Sequence, residues 1–279
     1  MRSTIALGEK RMEGNYRRIL AAGDIWLTNS KTGSIYAAGD IDIKSSVVKK
    51  LRLAGDFDGD SVVIGSGKVV GDIDLKGICK ADRMVVFGDV NCEYLECICL
   101  RHGSPKGKNT RNSRISGFYK ATTFESTMPV IVSFDYEFEN MIISSSLRAS
   151  TELVCTKFYG LGKISSPAIN ADTVFLLANN GTKIGEITGS KVTVSTKFKL
   201  DKAFRSIPKT LRIDGAISDE SIIDIDAISA DKVTIEYVKA TSVSGIDVKI
   251  GDLSIVEEVT YQNSLTISDK AIVGRVVKQ

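Results

Sequence analysis

The chain has 279 residues, of which 43% are apolar and 25% charged, with a formal net charge of +3. This is enough apolar material for a continuous core, and too little net charge for a global pull toward nucleic acid, which is not expected as a partner. Four prolines against 24 glycines, with only 7% aromatics, exclude a proline-rich linker protein and suit a chain that turns often and packs aliphatic side chains.

Residues 1–15 hold no apolar run long enough for a signal peptide and are expected to form a tail or small cap. No stretch approaches the roughly 20 apolar residues of a membrane-spanning helix. The cysteines (Cys79, Cys92, Cys97, Cys99 and Cys155) are odd in number and lack a secreted-scaffold spacing. They predict reduced thiols and a cytoplasmic location.

From residue 16 to residue 100 a repeat dominates. Gly-Asp recurs at Gly23-Asp24, Gly39-Asp40, Gly55-Asp56, Gly71-Asp72 and Gly88-Asp89, at spacings of 16, 16, 16 and 17 residues. Alternating apolar pairs follow each copy: Ile25 and Leu27, Ile41 and Ile43, Ile73 and Leu75, Val90 and Cys92. Phe57 keeps the first position of the third copy, while Gly59 loses the second. A second pair precedes the next Gly-Asp, as in Ile35 and Ala37 or Leu51 and Leu53. Alternation at period two means strands with one buried face. A 16-residue unit is too short for a crossover helix, so each unit predicts one coil of a β-helix stacked at about 4.8 Å. Gly supplies the backbone freedom at the corner, and Asp can bond nearby amides there.

Residues 101–146 break the rhythm. Their first part, RHGSPKGKNTRNSR, is basic without an acid and predicts a solvated loop projecting from the solenoid. The repeat returns over 147–196 and again over 213–279 as a related signature. It reads Ile169-x-Ala171-x-x-Val174-x-Leu176, then Ile187-x-Gly189-x-x-Val192-x-Val194. Later copies are Ile228-x-Ala230-x-x-Val233-x-Ile235 and Val243-x-Gly245-x-x-Val248-x-Ile250. Cys79-x-Ala81-x-x-Met84-x-Val86 shares it, so one all-β architecture is expected throughout, against the competing reading of an antiparallel sandwich.

Between these segments, 197–212 (KFKLDKAFRSIPKTLR) carries six basic residues against Asp201. Leu200, Ala203, Phe204 and Ile207 fall on one face of a short helix that Pro208 should end. Lys197, Lys199, Lys202 and Arg205 surround that face, and with Phe198 they mark a candidate contact for an anionic membrane surface or a partner. The plainer alternative docks the apolar face on the solenoid.

Catalytic chemistry has thin support. The columns Asp40, Asp56, Asp72 and Asp42, Asp58, Asp74 could hold Ca²⁺ in a carbohydrate-active β-helix enzyme, or could be turn formers and solubilising charges. Cys92, Cys97, Cys99 and His102 offer soft ligands at a spacing that is no standard zinc pattern. His102, the one histidine, would have to carry any hexapeptide-type acyl transfer from a basic loop. No phosphate loop or nucleophile elbow is present, so no active site, metal or cofactor is expected.

Three stretches resemble the bactofilins, polymer-forming cytoskeletal proteins, in their longer Gram-positive form. They are YRRILAAGDIWLTNSKTGSIYAAGDIDI, INADTVFLLANNGTKIGEITGSKVTV, and ISADKVTIEYVKATSVSGIDVKIGDLSIVEEVTYQNSLTISDKAIVGRVV. The resemblance implies a right-handed parallel β-helix (β-solenoid) with coils of 16 or 17 residues. It also implies nucleotide-independent polymerisation, and a cytoplasmic, often membrane-associated role in cell shape or envelope organisation. A homopolymer formed through the terminal coils is the expected partner; a monomeric adaptor is the other non-enzymatic reading. The chain departs from short bactofilins in its length, in 101–146 and in lacking a plainly hydrophobic N-terminal tail.

Overall fold

The computed structural model describes residues 2–103, 113–133, 135–197 and 219–279. Among them there are twenty strands and no helix, and the chain divides into two units, Met1–Phe138 and Glu139–Gln279. The first unit holds β1 (Arg2–Leu7), β2 (Lys10–Ala22), β3 (Ile25–Ala38), β4 (Ile41–Lys44), β5 (Val47–Ala54) and β6 (Phe57–Asp60). It continues with β7 (Val63–Val70), β8 (Ile73–Val86), β9 (Val90–His102), β10 (Ser113–Ser126) and β11 (Val130–Val132). The division falls within β12 (Asp135–Ile143). The second unit holds β13 (Leu147–Ala149), β14 (Leu153–Gly160), β15 (Ile164–Leu177), β16 (Lys183–Ser195), β17 (Ile223–Ile235), β18 (Val238–Ile250), β19 (Ile255–Ile267) and β20 (Ile272–Lys278).

Each unit is a parallel β-solenoid in which equivalent residues stack coil on coil. In the first, Ile25, Ile41, Phe57, Ile73 and Val90 form one inward ladder, and Leu27, Ile43, Gly59, Leu75 and Cys92 the next. The missing side chain at Gly59 is compensated by its neighbours: a Cβ there would lie 2.6 Å from Leu75 Cδ2 and 3.1 Å from Phe57 Cζ. In the second unit the signature stacks in register, Ile169 on Ile187 on Ile228 on Val243, and Val174 on Val192 on Val233 on Val248. These side chains are buried, which is where alternation placed them.

Within one coil of the first unit the inward residues are Ile41 and Ile43, then Val48, then Leu51 and Leu53. The runs are separated by corners, so the coil has three faces. At the first corner Asn29, Ser45, Ser61 and Gly77 all have positive φ, between 45° and 62°. Ser30 and Ser46 follow two of these; the Ser30 amide donates to Ser46 Oγ at 3.0 Å. The second corner is the exposed pair Lys49-Lys50 and its equivalents, and the third is Gly-Asp.

Two expectations about segment boundaries differ from the structure. Residues 2–15 belong to the solenoid: β1 pairs in parallel with β2, and the Ala6 side chain is buried. Within 101–146, β10 continues the stack by pairing along β9 from Ile115↔Val90 to Ser126↔His102. The intervening 104–112 lie outside the described residues.

Candidate functional site

The Gly-Asp corner is a continuous ladder. Asp24 Oδ1 accepts from the Asp40 amide at 2.9 Å, and Asp40 Oδ1 from the Asp56 amide at 2.9 Å. Asp56 and Asp72 do the same for the amides of Asp72 and Asp89, each at 2.8 Å. One oxygen of each carboxylate is thus committed to capping the coil above, the backbone role that turn aspartates favour.

The second acidic column, Asp42, Asp58 and Asp74, runs in register along β4, β6 and β8. Asp58, at its centre, has its carboxyl held above the ordinary value of 3.8, first by burial and then by the charges of Asp74 and Asp42. A folded-state pKa raised in this way means that ionised Asp58 works against folding. The penalty is absent well below 3.8 and is fully present once the pH has risen past the folded value. Asp58→Asn is therefore expected to raise the thermal midpoint at pH 7, with the gain vanishing in acid; an unchanged midpoint at pH 7 would show the column to be screened out. Among the described residues no group of three or more His, Cys, Asp and Glu side chains is placed to hold a metal ion.

Sequence proximity made Cys92, Cys97, Cys99 and His102 a ligand candidate, but the structure spreads them along one strand, β9. They stack on Leu75, Ala81, Arg83 and Val86 of β8 respectively, each at a different rung position. Cys92 is buried in the core, as its inward position required, and burial pushes its thiol up to about 11. Burial likewise pushes Cys97 and Cys155 up to about 12. Thiols held this far from ionisation are poor nucleophiles.

Arg101 and His102 require a correction: they end a strand rather than begin a solvated loop. His102 is 0% exposed, with Nε2 3.2 Å from the Gly88 carbonyl and Nδ1 3.2 Å from Ser126 Oγ. Burial lowers its pKa. Sealed inside the coil, it is out of reach of a substrate for acyl transfer. Arg101 is 3% exposed and its Nε donates to Glu125 Oε2 at 2.8 Å, while Glu125 is 1% exposed. The signal was in the spacing of the signature, which Leu95-x-Cys97-x-x-Leu100-x-His102 and Tyr119-x-Ala121-x-x-Phe124-x-Ser126 keep while placing His102 and Ser126 where the other copies have an apolar residue.

Of the predicted contact at 197–212, Lys197 is exposed just beyond β16. Phe198, Lys199, Leu200, Lys202, Phe204, Arg205 and Ile207 lie outside the described residues. Within the second unit an open groove of about 680 Å³ crosses successive coils, lined among others by Ser165, Lys183, Asp224, Lys239, Thr241 and Glu257. Lys183, Asp224 and Lys239 occupy equivalent positions in consecutive coils, so its charges alternate along the stack.

The most unusual surface is the outer side of the last coil. Val276 stacks on Val259, and Ile267 on Ile250, at inward ladder positions. Val259 and Ile250 are 0% exposed, whereas Val276 is 47% and Ile267 38% exposed. Among the described residues no strand pairs with the far edge of β20, so its backbone N–H and C=O groups face outward beside these side chains. No helix among the described residues is long and apolar enough to cross a membrane.

No family model matches the chain, and neither a curated protein nor a solved structure matches it.

Proposed function

We propose that this protein is a non-enzymatic scaffold of the bactofilin kind, whose solenoids stack end to end into nucleotide-independent filaments. The observation that carries the reading is the in-register parallel stack, which among the described residues ends on Ile267 and Val276, core positions that are 38% and 47% exposed. An unsatisfied sheet edge flanked by apolar core residues is a template for another chain, and a contact that does not close on itself extends into a fibre. The parallel stack supports the reading because the incoming coil would repeat the interaction already made between every pair of coils. Burying each ladder residue is worth about 1.5–3 kcal/mol before the cost of association.

The test is sedimentation velocity over a concentration series without nucleotide. The native chain is expected to grow with concentration, while Ile267→Glu/Val276→Glu stays at the mass of one chain with the same circular dichroism. Equal growth of the two proteins would remove the last coil from the assembly contact.

A further inference from the structure

Charge in the first unit is sorted by face. The face that precedes each of the first four Gly-Asp corners, with the corner that opens it, comprises residues 17–22, 33–38, 49–54 and 65–70. It carries Arg17, Arg18, Lys49, Lys50, Arg52 and Lys68, and no acid. The face that follows the same corner comprises 23–28, 39–44, 55–60 and 71–76 and carries eight aspartates against Lys44 and Lys76. One side is thus +6 and the other −6 within four coils, while the whole chain is only +3.

The basic side is open for contact. Arg17, Arg18, Lys49 and Lys50 are exposed, Arg52 and Lys68 partly so, and none of the six makes an ion pair among the described residues. Tyr36 lies between Arg18 and Lys50, whose cationic groups stand 5.8 Å and 5.7 Å from its ring centre, holding both side chains against the sheet. On the acidic side, Asp42, Asp58 and Asp74 form a column with one carboxylate per coil, and Asp40, Asp56 and Asp72 form a second.

We propose that the basic face of one copy docks side by side on the acidic face of a second copy. Charge complementarity is one argument. Spacing is the other: both faces belong to the same solenoid, so their rungs repeat at the same interval, about 4.8 Å per coil, with cations on three of the four basic rungs. A second copy laid alongside keeps every rung matched to a rung, whereas a polyanion of another repeat drifts out of step. The two faces are different surfaces of one chain, so the contact is heterologous and builds open sheets or bundles. This lateral contact is distinct from the end-to-end contact proposed above.

The test is negative-stain electron microscopy with light scattering on the full chain at low and high salt. Particle width reports the lateral contact and particle length the end-to-end one, so either can fail alone. At low salt wide bundles are expected; raising salt from about 0.05 M to 0.5 M, which shortens the screening length to a few ångströms, should cut scattering at least about tenfold and leave single-width particles. Lys50→Glu/Arg52→Glu/Lys68→Glu alone, and Asp42→Lys/Asp58→Lys/Asp74→Lys alone, should each abolish widening, while their equimolar mixture restores it. That restoration also shows that both variants fold. Widening that ignores salt, or persists in either variant alone, would overturn the proposal. So would a protein that never widens at low salt, including one whose basic face instead captures anionic phosphatidylserine vesicles or duplex DNA.

Discussion

Replacing Gly39 by alanine is expected to destabilise the first unit by about 2–5 kcal/mol, through backbone strain and overpacking together. Gly39 has φ +123°, a region that residues with a side chain rarely adopt. A Cβ there would also lie 2.7 Å from the Gly23 carbonyl carbon and 2.8 Å from its oxygen, in the coil below. Backbone cannot step aside as a flexible side chain would, so the coils must separate and weaken the aspartate ladder beside them. Gly14 separates the two causes: its φ is +105°, but a Cβ there meets nothing within 4 Å. Gly14→Ala should therefore cost less than Gly39→Ala in a denaturant titration, and equal costs would mean that coil-to-coil contact plays no part.

Arg101→Met is the second large effect. The Arg101–Glu125 pair is almost wholly buried, and burial holds the Glu125 carboxyl above its ordinary value of 4.5 in spite of the neighbouring guanidinium. Removing this cation leaves a buried carboxylate with only the weaker pull of Arg83, a change that costs up to about 3–5 kcal/mol. The pH dependence follows from the raised folded pKa. Glu125 opposes folding once it is ionised, and losing Arg101 raises that pKa further, so the deficit of the variant should be large at pH 8 and shrink in acid. Arg101→Met/Glu125→Met removes both charges with little change of volume and should recover most of the loss. A double variant as unstable as the single one would assign the effect to packing rather than to charge.

The fold was legible because its main device is literal repetition. Gly-Asp recurs with the same two letters, since only glycine lets the backbone pass that close to the coil below and only a short acceptor reaches the amide above. The corner formed by Asn29, Ser45, Ser61 and Gly77 escaped notice because three residue types share one left-handed conformation. The first coil was missed for a similar reason: Gly8 lies directly below Gly23, but Glu9 replaces the aspartate.

Arg101 and His102 misled for a different reason, since charge in a sequence suggests solvent. Their burial depends on Glu125 and Ser126, which lie 24 residues away and come alongside only when β10 stacks on β9. The candidate contact at 197–212 stood out by composition, and all but Lys197 of its named residues lie outside the described residues. The sorted charge of the first unit was hidden by averaging. A net charge of +3 conceals two opposed faces until the coil assigns alternate stretches of sequence to different sides.

The central claim is assembly through the last coil, and electron microscopy of the untagged native chain without nucleotide, in high salt to suppress lateral contact, tests it most directly. The account predicts thin, unbranched filaments one solenoid wide that lengthen with protein concentration. Uniform short particles that never join end to end, at any concentration, would contradict it.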